Sequence, residues 1–127
     1  MNLKATTQHR GLETINRRYN LMYIKVVSDT LNVTLPKEYV NWAKKCMPGE
    51  QYVCIGATVL TDPGDIISAT QDARETLNGF SEYFTVIGKF KKKGYLAMDG
   101  GGNLYDCTTR IRRCHGQDIS LIRKKES

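Results

Sequence analysis

Histidine is nearly absent: His9 and His115 are the only two in a chain of 127 residues. Acid–base catalysis near neutral pH leans on that side chain, so an enzyme built from this sequence would work almost without it. Neither G-x-S-x-G, G-x-x-x-x-G-K-[ST] nor H-E-x-x-H occurs, which removes the nucleophile elbow, the phosphate loop and the zinc-protease helix as readings. No window approaches eighteen consecutive apolar residues, and the opening MNLKATTQHRGLETINRR has no apolar h-region. A membrane span and a secretory leader are thus not expected, and the expected location is the cytoplasm.

Close cysteine pairs are missing too. Cys46, Cys54, Cys107 and Cys114 fall into C-x7-C and C-x6-C spacings, whereas zinc patterns use short gaps that place both sulfurs on one tight turn. In a reducing compartment these are free thiols. Cys107, Cys114 and His115 leave a metal site open as the alternative to bystander thiols, and no cofactor is implied. Cys114 and His115 with Asp118 would make a thiolate pair and its orienter, but neighbours on a strand point to opposite faces. The pairs Asp62 with Asp65 and Asp99 with Asp106 read as turn capping and hairpin rims. No catalytic residue is assigned, and the chain is expected not to be an enzyme.

What is abundant is positive charge, and it is unevenly placed. Residues 1–88 carry nine Lys or Arg against nine Asp or Glu. Residues 89–127 carry ten bases, Lys89, Lys91, Lys92, Lys93, Arg110, Arg112, Arg113, Arg123, Lys124 and Lys125, against four acids, a surplus of six that is the whole net charge of +6. A field so one-sided favours a polyanionic partner. Arg forks onto phosphate oxygens and Lys offers a point charge, so the mixture suits backbone contact. Tyr95, Tyr105 and Phe90 interleave with the bases and are placed to stack unpaired nucleobases. On strand alternation Arg110 and Arg112 share a face with Arg113 opposite, and antiparallel hairpins would bring them beside Arg123, Lys124 and Lys125 as a continuous basic surface. These ten cations with Tyr95 and Tyr105 form the candidate nucleic-acid-binding set, and DNA and RNA are equally compatible with it.

Residues 1–18 read as a polar arm or short helix. Over 19–27 the run YNLMYIKVV is dense in β-branched and aromatic residues and alternates, predicting a strand; LNVTL at 31–35 predicts a second short strand or an extended connection. Pro36 opens a helix to Met47, with Tyr39, Val40, Ala43 and Met47 as its apolar stripe, Trp42 and Cys46 widening it, and Pro48-Gly49 stopping it. QYVCIGATVL at 51–60 predicts one core strand with Gly56 as a bulge or close-packing point. Asp62 before Pro63 caps a second helix that runs to about Asn78, with Gly79 as its left-handed end. Four short strands follow, over 82–89, 94–99, 103–111 and 118–123, the first three joined by hairpin turns at Lys91–Gly94 and Gly100–Asn103. The glycine run at Gly100–Gly102 lacks the lysine and helix of a phosphate-binding loop, and a hairpin tip is the better reading.

Residues 84–124 resemble a small SH3-like barrel of the KOW or Tudor-like type. The likeness rests on Val86-Ile87-Gly88, the basic turn ending in Gly94, the strand Tyr95–Asp99 and the strand beginning near Leu104. It departs from that pattern where Lys91, Lys92 and Lys93 stand in place of a further glycine. The resemblance implies a module that docks RNA, DNA, a polymerase or a ribosome surface and carries no chemistry of its own.

The expected architecture is a single α+β domain. Two helices pack on a mixed sheet in the body over 19–83, and antiparallel β, as an SH3-like barrel, forms the basic region over 84–127, continuous with that body. The expected function is a non-enzymatic nucleic-acid-binding accessory or regulatory protein, with an acidic surface of RNA polymerase or the ribosome as the alternative partner. Small size without catalytic motifs also suits a virally encoded factor acting in the host cytoplasm.

Overall fold

The computed structural model describes residues 22–46 and 49–125; the expected N-terminal arm over 1–18 and Met47 lie outside these. Among the described residues an α+β fold is present, with three helices, α1 (22–31), α2 (Lys37–Lys45) and α3 (Pro63–Thr76), against seven strands, β1 (Tyr52–Cys54), β2 (Ala57–Val59), β3 (Thr85–Lys89), β4 (Tyr95–Met98), β5 (Asn103–Cys107), β6 (Ile111–Asp118) and β7 (Arg123–Lys124). The strands form one curled sheet in the order β6-β5-β4-β3-β2-β1-β7. Each neighbouring pair is antiparallel, which corrects the expected mixed sheet. The curl is strong enough that Cys114 and Asp118 of β6 act electrostatically on Cys54 of β1.

The segment expected as a strand over 19–27 is helical from residue 22. Tyr23, Val27 and Leu31 are buried, and so is Ile24, while Lys25 and Val26 are exposed. Burial at 23, 24, 27 and 31 follows the 3.6-residue period, whereas alternation would have buried Lys25. Asn32 takes φ 55 just past the helix and the Val33 N–H donates to the Ser28 carbonyl, a Schellman-type end. Residues 33–36 then run extended without pairing, and Pro36 caps α2 with Tyr39 and Ala43 as its buried stripe. Trp42 packs edge-on to Tyr52 at 5.3 Å and against Tyr39 at 5.4 Å, and α1 meets α2 where the Tyr23 and Tyr39 hydroxyls stand 3.4 Å apart.

The single strand expected over 51–60 is instead a hairpin. Ile55 (φ 40) and Gly56 (φ 88) form a two-residue turn of the kind whose twist suits antiparallel strands. A β-branched residue rarely accepts positive φ, which is why no turn was legible there. Helix α3 starts as expected, the Asp62 carboxylate accepting from the Gly64 N–H at 2.7 Å, and Gly79 turns the chain after it with φ 84. The last predicted strand, 118–123, divides into the end of β6, a 3-10 turn at Ile119–Leu121 and the two residues of β7. Asp118 drives that break, accepting from the Ser120 N–H at 2.9 Å and from the Ser120 hydroxyl.

The core has two clusters, and α3 contributes to both. Leu96, Met98 and Leu104 join the α1 and α2 residues and Ile66 of α3 in the main core, while Ala69 and Ala73 of α3 pack against Val86 in a second cluster. Small side chains let α3 approach closely. In the irregular stretch between Val86 and Gly88, the Val86 N–H donates to Thr70 Oγ1 at 2.9 Å, and that hydroxyl donates to the Ile66 carbonyl at 2.7 Å. Arg74 extends from α3 to the Leu31 carbonyl at 2.8 Å and the Glu82 carbonyl at 2.9 Å, tying the end of α1 to the loop before β3.

Candidate functional site

Antiparallel registry sets where the cations stand. Strand β3 ends at Lys89, β5 at Cys107 and β1 at Cys54, so the turns at 55–56, 90–94 and 108–110 all emerge at one end of the sheet. That end carries Lys89, Lys91, Lys92, Lys93, Arg110 and, one residue into β6, Arg112, every one of them exposed. Arg110 lies in the turn rather than on a strand, so the expected sharing of a strand face with Arg112 does not arise. Arg112 opposes Asp106 and Arg113 opposes Tyr105, which puts the two arginines on opposite faces. Among the described residues no carboxylate lies within ion-pair distance of these cations; the Asp106 carboxylate is taken by the Thr108 N–H at 3.0 Å and hydroxyl at 2.6 Å.

The remaining bases stand on β6 and on or just after β7. Strands β6 and β7 are the two ends of the strand order, so Arg112 and Arg123 occupy opposite edges. Lys89 stands on the central strand and shares a rung with Thr58, Val53 and Arg123 on one side. At about 4.8 Å per strand, Lys89 is about 14 Å from each edge along the sheet, close to four phosphate steps along one strand of duplex DNA. Lys124 pairs with Glu50 at 3.2 Å, both exposed, and Lys125 continues away from the turn end, its N–H donating to the Gln51 carbonyl. The densest group of cations is thus at the turns, with Arg123, Lys124 and Lys125 as a second group on and just after β7.

Both tyrosines of the expected set are used inside the fold. The Tyr95 hydroxyl donates to Asp72 Oδ2 on α3 at 2.5 Å, a bond to a carboxylate that, with burial, pushes its pKa up to about 12. Tyr105 stacks on Phe84 at 4.4 Å and donates to Asp99 Oδ2 at 2.9 Å; burial and the Asp99 charge raise its pKa. Asp99 organises the opposite end of the sheet. Burial works against its ionisation, but bonds from the Asn103 side chain, Tyr105 and the Asn103 and Gly101 N–H groups outweigh this and hold its carboxyl below the usual range. The glycine run is therefore a hairpin tip, with the Gly101 N–H engaged by Asp99 Oδ1 and the Gly102 N–H by the Asp99 carbonyl.

Cys46, Cys54, Cys107 and Cys114 are thiols, not joined in disulfides. Burial raises the pKa of Cys54 to about 11 and of Cys107 to about 12, helped in each case by nearby groups of negative charge, and burial raises Cys46 and Cys114 too. Among the described residues no group of three His, Cys, Asp or Glu is arranged to hold a metal ion, and no helix is long and apolar enough to cross a membrane.

Sequence reading missed the walls of a cleft beside the turn cluster. About 270 Å³ in volume, it lies between the end of α3 and the β3–β4 turn, lined by Asp72, Thr76, Leu77, Lys89, Phe90, Lys93, Gly94, Tyr95, Cys107 and Thr108. Phe90 and the lysines stood out by composition; Leu77, Thr76 and Thr108 join them only through tertiary packing, which leaves no local signal. No family model, no curated protein and no solved structure matches this chain.

Proposed function

We propose that this chain is a non-enzymatic nucleic-acid-binding accessory or regulatory protein that grips phosphates with the cations of its turn end. The observation that carries the reading is the convergence of Lys89, Lys91, Lys92, Lys93, Arg110 and Arg112 on one end of one sheet without carboxylate partners among the described residues. Six cations gathered at one end of a sheet are a state that a polyanion stabilises, with release of its condensed counterions. The curled antiparallel sheet supports the resemblance to SH3-like barrels of the KOW or Tudor-like type, in which case the module docks onto nucleic acid without chemistry. Arg123 and Lys125, on and just after β7, would extend the footprint for a ligand that reaches from the turns to that strand. Anisotropy of labelled nucleic acid against salt tests the reading, and a flat salt response would sink it.

A second reading has an observation of its own. β6 is a terminal strand of eight residues, six of them exposed, and Arg112, Arg113 and His115 stand along it. An open edge with basic side chains suits an extended acidic segment of a protein such as RNA polymerase or the ribosome. Capture of that partner after nuclease treatment favours this reading, and its loss on nuclease treatment favours the first. A virally encoded factor in host cytoplasm fits either.

A further inference from the structure

We propose that the cleft between α3 and the β3–β4 turn seats a single unpaired nucleobase, which would make single strands the preferred ligand of the turn cluster. The inference rests on the proposed nucleic-acid-binding function and adds to it the class of ligand and the place where a base would enter.

The size of the cleft comes first. At about 270 Å³ it falls just below the range of ordinary small-molecule pockets, about 300–1,000 Å³, so it has room for one planar ring system with its sugar and not for a duplex edge. Its chemistry is layered in the way a nucleotide is. Leu77, Phe90 and the Tyr95 ring supply apolar surface, and Lys89 and Lys93 stand at the same cleft. Both lysines are exposed, so their ammonium groups are available to a phosphate while the ring is covered. Between the two lie groups that can meet a base edge: Asp72, whose Oδ2 already accepts from Tyr95, leaving Oδ1 as an acceptor for a base N–H, and Thr108, whose hydroxyl donates to Asp106 and can still accept. Asp72 is the one negative group in the lining, and it sits on α3 across from the lysines, so it repels a phosphate placed on its own side and favours one placed at the turn.

The end wall is fixed by packing. The β3–β4 turn closes through the Phe90 N–H to the Gly94 carbonyl at 3.1 Å, and Gly94 rests against Thr108 so tightly that a side chain there would collide with its backbone. Lys93 and Phe90 are therefore held on a rigid tip, and a site held this way spends less binding energy on ordering itself.

A duplex keeps its bases stacked and offers this surface phosphates only. A single strand offers both, and the gain is that of one base seated on apolar and aromatic surface, about ten-fold or more in affinity. The test compares two labelled twelve-residue strands with the same phosphates, oligothymidylate and an abasic strand, titrated by anisotropy into the full chain. The wild type should bind oligothymidylate about ten-fold tighter than the abasic strand. Thr76→Trp, at an exposed position on the cleft wall, fills the space and should bring the two affinities together. Equal wild-type affinities for both strands would overturn the inference while leaving phosphate binding intact. A preference that survives in folded Thr76→Trp would also overturn it, because the base would then sit elsewhere. If neither strand binds, the nucleic-acid reading itself falls and the inference with it.

Discussion

The Cβ that Gly94 lacks would stand 2.6 Å from the backbone Cα of Thr108. Two hairpin turns, β3–β4 and β5–β6, are locked against each other at this point, and the cations they carry are locked with them. Gly94 also holds φ 110, a conformation that side chains resist. Gly94→Ala should therefore destabilise by about 2–4 kcal/mol, strain and collision together. Gly56→Ala is the control: φ is 88 and the space is open, so only the backbone term of about 1 kcal/mol applies. Urea denaturation of both variants measures the difference, and equal losses would show that the turns are not in close contact.

Thr70 predicts a second asymmetry. Its buried hydroxyl is the acceptor for the Val86 N–H. Thr70→Val keeps the shape and leaves that N–H without a partner, at about 1–3 kcal/mol. Thr70→Ser should recover most of the loss. If the valine variant were as stable as wild type, α3 would not be pinned to β3 in this way.

Asp99 makes stability depend on pH in the acid range. Its carboxyl sits below its ordinary value in the fold, so its contribution is fully present above about pH 4, the unfolded value, and is lost as pH falls through the lower folded value. Asp99→Ala should cost about 1–2 kcal/mol near neutrality for the hydrogen bonds it removes and should flatten the acid limb. Thermal melts between about pH 2 and pH 7 would show this. An acid limb of unchanged slope in the variant would contradict the assignment.

The thiols predict a reactivity order. Cys54 and Cys107 are buried with pKa values of about 11 and about 12, so in the native protein they should resist Ellman's reagent at mildly alkaline pH, because the thiolate is the reacting species. Cys46 and Cys114, half-buried, should react first and more slowly than a free thiol. Immediate reaction of all four without denaturant would mean that the curled sheet does not protect its interior.

From residue 60 to β5 the order of elements was legible, since Asp62-Pro63, Gly79, the lysine turn and the glycine turn each announce themselves by local chemistry. The expected strand over 103–111 is instead β5, a turn at 108–110 without glycine or proline, and the start of β6, whose residues 112–117 were not expected as a strand. Where the reading failed, two physical patterns coincided. Positions 23, 27 and 31 satisfy both a period of two and a period of four, so buried Tyr23, Val27 and Leu31 read as a strand; buried Ile24 and exposed Lys25 decide for a helix. Ile55 hid a turn because a β-branched residue at positive φ is against propensity. At the candidate site, the cations of the turns were visible in the sequence and their grouping followed from hairpin pairing. The placing of Arg123 and Arg112 on different edge strands was not, because it depends on β7 joining β1 rather than β6. Tyr95 and Tyr105 were visible as aromatics among bases, but their bonds to Asp72 and Asp99 are tertiary and leave no trace in composition.

The most direct test of the central claim is the salt dependence of nucleic-acid binding, measured by anisotropy with labelled duplex DNA, single-stranded DNA and RNA. Five phosphates neutralised on duplex give a log–log slope of about −4 to −5, an affinity loss of about 250- to 1,000-fold between about 50 and 200 mM salt. The Lys91→Glu, Lys92→Glu, Arg112→Glu variant should bind more weakly at low salt and with a shallower slope. Tight binding to none of the three in wild type, or a slope near zero, would contradict the account and turn attention to a protein partner at the β6 edge.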